Sequence, residues 1–255
     1  MGVSDIYRDR ASLGHLPVLR GQTLIEPPYR LQPDANTTAL WWCEMNPTLG
    51  VGVLKDQKGS NNANLALLGV TPVWGGGGPF VSDLTFNGST MFGILASQID
   101  FTSAFTIEAL VKKAAGGNEG MVIHAADNHF VAPNYGNAWR MAIGWEDDFG
   151  CLFYNGTDNQ TVQSTSTVCD GTYHYLAARL GSNVLDLFKD GSNVGTANVT
   201  GNVTATAYVP NIGRGQNNTT TYASYLSGSI AMIRLSAVAR PDAEILMNAK
   251  LMGFA

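Results

Sequence analysis

Two carboxylates on one face of a strand, two or four residues apart, can work as an acid–base or nucleophilic pair. The clearest acidic strand position is Glu108, in Phe105-Thr106-Ile107-Glu108-Ala109-Leu110-Val111-Lys112, and Leu110 and Lys112 occupy the positions that share its face. Glu146, Asp147 and Asp148 are adjacent, so neighbours point to opposite faces; with Gly144 and Gly150 around them they read as a hairpin loop. His124 and His129 flank Asp127, a spacing open to a metal or an acid–base pair, although the stretch reads as a strand end and a solvated loop. No G-x-S-x-G nucleophile elbow is present. The expectation is a protein without catalytic residues.

Binding chemistry has more to draw on. Calcium takes oxygen ligands, and Asp56, Asn61 and Asn62, or Asp127 and Asn128, offer them; their spacing is equally that of turn-forming Asx residues. No other metal and no cofactor is expected. A sugar site needs an aromatic platform and hydrogen-bonding groups around it. Trp139, Trp145, Tyr135, Tyr154 and Tyr222 are the aromatic candidates, with a core role as the alternative for each. Cys43, Cys151 and Cys169 lack C-x-x-C spacing. They are expected as buried free thiols, with a Cys151–Cys169 bridge as the alternative if those residues lie on neighbouring strands.

The elements that must position these residues are strands. The chain has 255 residues, of which 45% are hydrophobic and only 14% charged, with 29 glycines. That is ample for a core, poor in the Glu, Lys and Arg of exposed helices, and rich in turn formers. The net charge is −5 without a basic stripe, which argues against a nucleic-acid partner. No apolar run reaches the ~20 residues that span a bilayer, and residues 1–10 carry no apolar stretch behind a basic start, so no membrane partner or export signal is expected there. Residues 1–37 contain Pro17, Pro27, Pro28 and Pro33 and no sustained period, and read as an extended N-terminal arm. Its apolar residues Ile6, Tyr7, Leu16, Leu19, Ile25 and Tyr29 are expected to anchor it on a neighbouring subunit, with packing on its own domain as the competing account.

From residue 38 to 255 strand follows strand. Phe105 to Lys112 alternates with Phe105, Ile107, Ala109 and Val111 on one face, the period of a half-buried strand. Further strands are expected at Ala39–Met45, Leu84–Gly88, Gly120–His124, Trp139–Trp145, Gly150–Tyr154, Thr172–Leu180, Val184–Lys189 and Ser227–Leu235. A short helix is expected over Pro241–Ala249. The fold class expected from this pattern is all-β, a two-sheet sandwich with a short C-terminal helix.

Several segments carry a family resemblance. Leu84-Thr85-Phe86-Asn87-Gly88, Phe105-Thr106-Ile107-Glu108-Ala109-Leu110-Val111-Lys112 and Asp170-Gly171-Thr172-Tyr173-His174-Tyr175 stand in the order and spacing of laminin-G-like domains. So do Leu185 to Val194, Gly228-Ser229-Ile230-Ala231-Met232-Ile233-Arg234 and Arg240-Pro241-Asp242-Ala243-Glu244-Ile245. Over residues 38–250 the chain resembles the laminin-G-like branch of the concanavalin A-like lectin/glucanase superfamily. The resemblance implies a jelly roll, a structural role for His174, and either rim calcium or sugar binding. Together with the arm and the missing acid pair, it sets two expectations. One is a structural protein of a virus particle, such as a phage capsid-decoration protein, located in the virion, assembling through the arm with itself and with other capsid or tail proteins. The alternative is an extracellular glycan-binding lectin or host-adhesion module, with cell-surface glycans as partner.

Overall fold

The computed structural model describes residues 30–44, 52–59, 61–67, 72–75, 82–125, 139–144, 147–204, 209–216 and 222–254. With strands numbered in chain order, the first sheet runs β14 (Ser192–Asn198), β13 (Val184–Lys189), β12 (Tyr173–Gly181), β7 (Phe105–Lys112), β18 (Ser227–Ser236), β5 (Asp83–Asn87), β4 (Val73–Gly75). The long strand β18 pairs with β7 along one edge and divides its other edge. Residues 227–230 pair with β5, and residues 232–236 pair with β1 (Thr37–Trp42). The second sheet runs β11 (Asn159–Gln163), β10 (Phe149–Tyr154), β9 (Trp139–Ile143), β8 (Gly120–Ala125), β15 (Asn211–Ile212), β6 (Met91–Leu95), β3 (Ala63–Leu67), β2 (Val53–Leu54). A small ribbon joins β16 (Gly215–Gln216) to β17 (Tyr222–Ala223), and the helix α1 spans Asp242–Leu251. All the pairings are antiparallel, and the architecture is the expected sandwich.

The main core lies between the sheets. Phe105, Ile107, Ala109 and Val111 of β7 meet Trp139, Met141, Phe149, Cys151 and Phe153 of β9 and β10 there. Phe101 bridges the layers, with ring centroids 5.0 Å from Phe105 and 4.8 Å from Trp139, a spacing at which aromatic pairs add to their area burial.

One expectation for β7 is corrected. Its alternation predicts a half-buried strand, yet both of its faces are covered. A second core on the outer side of the first sheet gathers Leu40, Trp42, Leu110, Tyr175, Phe188 and Met232 under Ile245, Ala249 and Met252 of α1 and its C-terminal end. Glu108 lies on this outer face, fully buried. It accepts from Arg234 Nη2 at 2.6 Å, from Asn248 Nδ2 at 3.0 Å and from the Tyr175 hydroxyl, with Arg240 Nε 3.5 Å away. A carboxylate is tolerated in a core only when opposite charge and hydrogen bonds surround it.

Residues 30–36, assigned to the arm, pack on their own sandwich. Leu31 is buried, and its carbonyl accepts from Trp42 Nε1 at 3.1 Å. Asp34 takes a bidentate grip from Arg240 at 2.8 and 3.0 Å, which holds its carboxyl well below the usual carboxylate range. The proposed anchors Ile6, Tyr7, Leu16, Leu19, Ile25 and Tyr29 lie outside the described residues.

Candidate ligand groove on the second sheet

Because strand side chains alternate, sending Phe149, Cys151 and Phe153 into the core sends Gly150, Leu152 and Tyr154 to the outer face of the second sheet. The neighbouring strands place matching residues beside them. Gly150 is opposite Ala142 and Gln163, and Leu152 is opposite Arg140 and Thr161. These residues, with Glu119 and Asp148, line a groove of about 280 Å³. Ala142 and Gly150 form its floor, and a Cβ at Gly150 would stand 3.1 Å from the Val162 carbonyl oxygen.

Polar groups of both signs border this floor. Arg140 Nη2 stands 3.6 Å from Glu119 Oε1, with the two side chains only 16% and 14% exposed. Burial pulls the Arg140 pKa down and the Glu119 carboxylate opposes it. Gln163 Nε2 donates to Asp148 Oδ2 at 2.8 Å, and the Thr161 hydroxyl adds a group that both donates and accepts. The turn that presents Asp148 is held by its neighbour. Asp147 adopts a left-handed backbone (φ 65°), its Oδ1 accepts from Gly116 N at 2.7 Å, and its carbonyl accepts from Val168 N and Cys169 N.

Beyond the groove the polar row continues. The register runs Thr161, Leu152, Arg140, His124, Asn211 across five adjacent strands. Arg214 donates to Asn211 Oδ1 at 3.2 and 3.0 Å, with its guanidinium over the Phe92 ring. His124 stands at the end of β8, as expected, and the stretch that follows Ala125 lies outside the described residues, but the side chain is not solvated. It is a fully buried strand residue in this row.

The sequence candidates divide. Tyr154 lies on the groove strand and on the groove's face, half-buried. Trp139 is corrected. It is fully buried between the sheets and its Nε1 donates to the Ile99 carbonyl at 3.1 Å, so no face of it can meet a sugar. Trp145 and Tyr135 lie outside the described residues, and for Tyr222 only the backbone, in β17, is described.

The calcium candidates Asp56 and Asn61 are also corrected. Asp56 is buried and accepts from the backbone N–H groups of Leu40, Lys58 and Asn61, while Asn61 Oδ1 accepts from Ser97 N. Their oxygens staple a turn. Asp127 is outside the described residues, among which no cluster of three His, Cys, Asp or Glu residues could hold a metal ion.

The three cysteines are free and buried, and burial raises the Cys151 and Cys169 thiols to about 12 and about 11. Sequence reasoning missed Glu119, Arg140, Thr161 and Gln163. A signal was present in Trp-Arg-Met-Ala-Ile, where one arginine interrupts an apolar strand.

Among the described residues no helix is long and apolar enough to cross a membrane. No curated protein matches the chain by sequence. Similar folds occur in solved structures of low identity. Domain 4 of AbnA, an extracellular arabinanase from Geobacillus stearothermophilus solved with arabinotriose, matches at 13% identity with a TM-score of 0.64, covering 84% of this chain and 98% of that one. The binding domain of Paraclostridial Mosquitocidal Protein 1 matches at 13% and 0.60, covering 84% and 52%. The binding domain of botulinum neurotoxin DC, in complex with SialylT, matches at 11% and 0.62, covering 86% and 52%. The chain thus spans about half of each toxin binding domain. A family model described as the concanavalin A-like lectin/glucanases superfamily matches residues 86–246, more than half of the chain and most of both sheets. By this match and by its two-sheet jelly roll, the chain belongs to the concanavalin A-like lectin/glucanase superfamily.

Proposed function

We propose that this protein is a non-catalytic carbohydrate-recognition domain, working outside the cell, that holds a sugar in the groove over β9, β10 and β11. The observation that carries the reading is the groove itself. Its small-residue floor, Ala142 and Gly150, is flanked by a guanidinium, two carboxylates, an amide and a hydroxyl, the mixed donors and acceptors that ring hydroxyls need. Its volume falls just under the roughly 300–1,000 Å³ of small-molecule sites, which suits one ring of a larger glycan. The similarity to a domain solved with arabinotriose, a neutral oligosaccharide, supports the same class of ligand. Glu119 faces Arg140 and Asp148 faces Gln163, contacts that suit binding better than proton transfer. The particle-surface reading rests on the arm, residues 1–37, of which 1–29 lie outside the described residues, and recognition has the stronger support.

The test is a glycan array followed by titration calorimetry on the glycans that score. The full chain should bind a defined set of glycans, and Ala142→Phe, which fills the floor, should lower affinity at least tenfold with an unchanged circular dichroism spectrum. A chain that binds no glycan, or a filled groove that binds as before, overturns the reading.

A further inference from the structure

We infer that the groove selects neutral sugars and rejects those bearing a carboxylate; this rests on the groove being the glycan site. Among the described residues lining it are two carboxylates, Glu119 and Asp148, against one guanidinium, Arg140. The guanidinium already faces Glu119 at 3.6 Å, and both side chains are largely buried. A sugar carboxylate could engage Arg140 only by competing with Glu119, leaving a mostly buried acid with a weakened counter-charge. It would also approach Asp148, a second carboxylate, whose Oδ2 accepts from the amide of Gln163. Like charges brought together in a partly desolvated site oppose binding.

Ring hydroxyls meet no such conflict. Each donates and accepts, so one hydroxyl can donate to Glu119 or Asp148 while another accepts from Arg140, Gln163 or Thr161. A carboxylate only accepts, and two of the polar groups it would meet are acceptors themselves. The same charge balance predicts that salt has little effect on the affinity for a neutral glycan, since no net charge is neutralised on binding.

Titration calorimetry on the full chain with matched pairs tests this. Glucose-, galactose- and arabinose-based oligosaccharides are compared with uronic-acid oligosaccharides of the same length. Neutral members should bind at least tenfold more tightly than their acidic counterparts. Asp148→Asn should narrow that gap at least threefold. Gln163→Lys, a change at an exposed rim position, should narrow it as well, so the result does not hang on one variant's folding. Uronates that bind as tightly as neutral sugars, and lose binding in Ala142→Phe, overturn the charge selection and leave the groove as the site. Failure of every glycan to bind overturns both.

Discussion

His174 sits between two carboxylates, with Nδ1 2.8 Å from Asp190 Oδ2 and Nε2 3.1 Å from Asp170 Oδ2. Asp190 also accepts from Tyr175 N, so the imidazole ties the start of β12 to the turn after β13. Burial pushes the His174 pKa down, but hydrogen bonds and charge from Asp190, with Asp170, outweigh it and the net shift is upward. A folded-state pKa above the unfolded value of 6.5 means that protonated His174 stabilises the fold fully below pH 6.5. That contribution is lost as pH rises through the raised value. The melting temperature of the native chain should therefore fall between mildly acidic and mildly alkaline pH more steeply than that of His174→Asn. Parallel curves for the two proteins would refute the assignment. The charge pairs were hard to foresee from sequence for a plain reason. His174 and Asp190 are separated by a whole strand, and only the β12–β13 hairpin brings them together.

At the scale of elements, a single carboxylate joins β7, β12, β18 and α1. Removing the charge of Glu108 leaves Arg234 buried without its counter-ion and Arg240 with a reduced one. Breaking a buried pair in this way costs about 3–5 kcal/mol. Urea unfolding of Glu108→Gln should show a loss of about that size, while glycan affinity of the folded fraction stays unchanged, because the groove belongs to the other sheet. A loss below about 1 kcal/mol would show that the arginines find other partners. The strands that the sequence revealed were those with long apolar alternation or a sharp turn. Val184 to Lys189, for example, ends at Asp190-Gly191, both at positive φ in a two-residue hairpin turn. The short strands β2, β4, β15, β16 and β17 have two or three residues each and no period to read. The second covered face of β7 was illegible because Thr106, Glu108 and Lys112 look like a solvent stripe until α1 is laid over most of it. In the groove, the strands Trp139–Trp145 and Gly150–Tyr154 were expected, but not the face that they share. Glu119, Arg140 and Gln163 reach it from three separate segments, which only strand register aligns.

For the whole molecule, the two sheets turn opposite outer faces to their surroundings. One is sealed by α1 and by residues 30–34, which Arg240 and Trp42 hold in place. The other carries the groove. Phe254, near the end of the chain, packs on the sealed side as well. The chain therefore enters and leaves the described fold on the layer away from the groove. A module wired this way can be threaded between other domains, or hung from a support at either end, with its reading face turned outward. Capture through an N-terminal tag should leave glycan-binding capacity per molecule at the solution value. Attachment through a cysteine placed at Gln163 on the groove rim should abolish it, and surface plasmon resonance with the two orientations would tell. Equal capacity in both would mean that the ligand is held elsewhere. Tethering and the proposed recognition thus make no demand on the same surface, so a change of neighbours along the chain leaves the groove untouched.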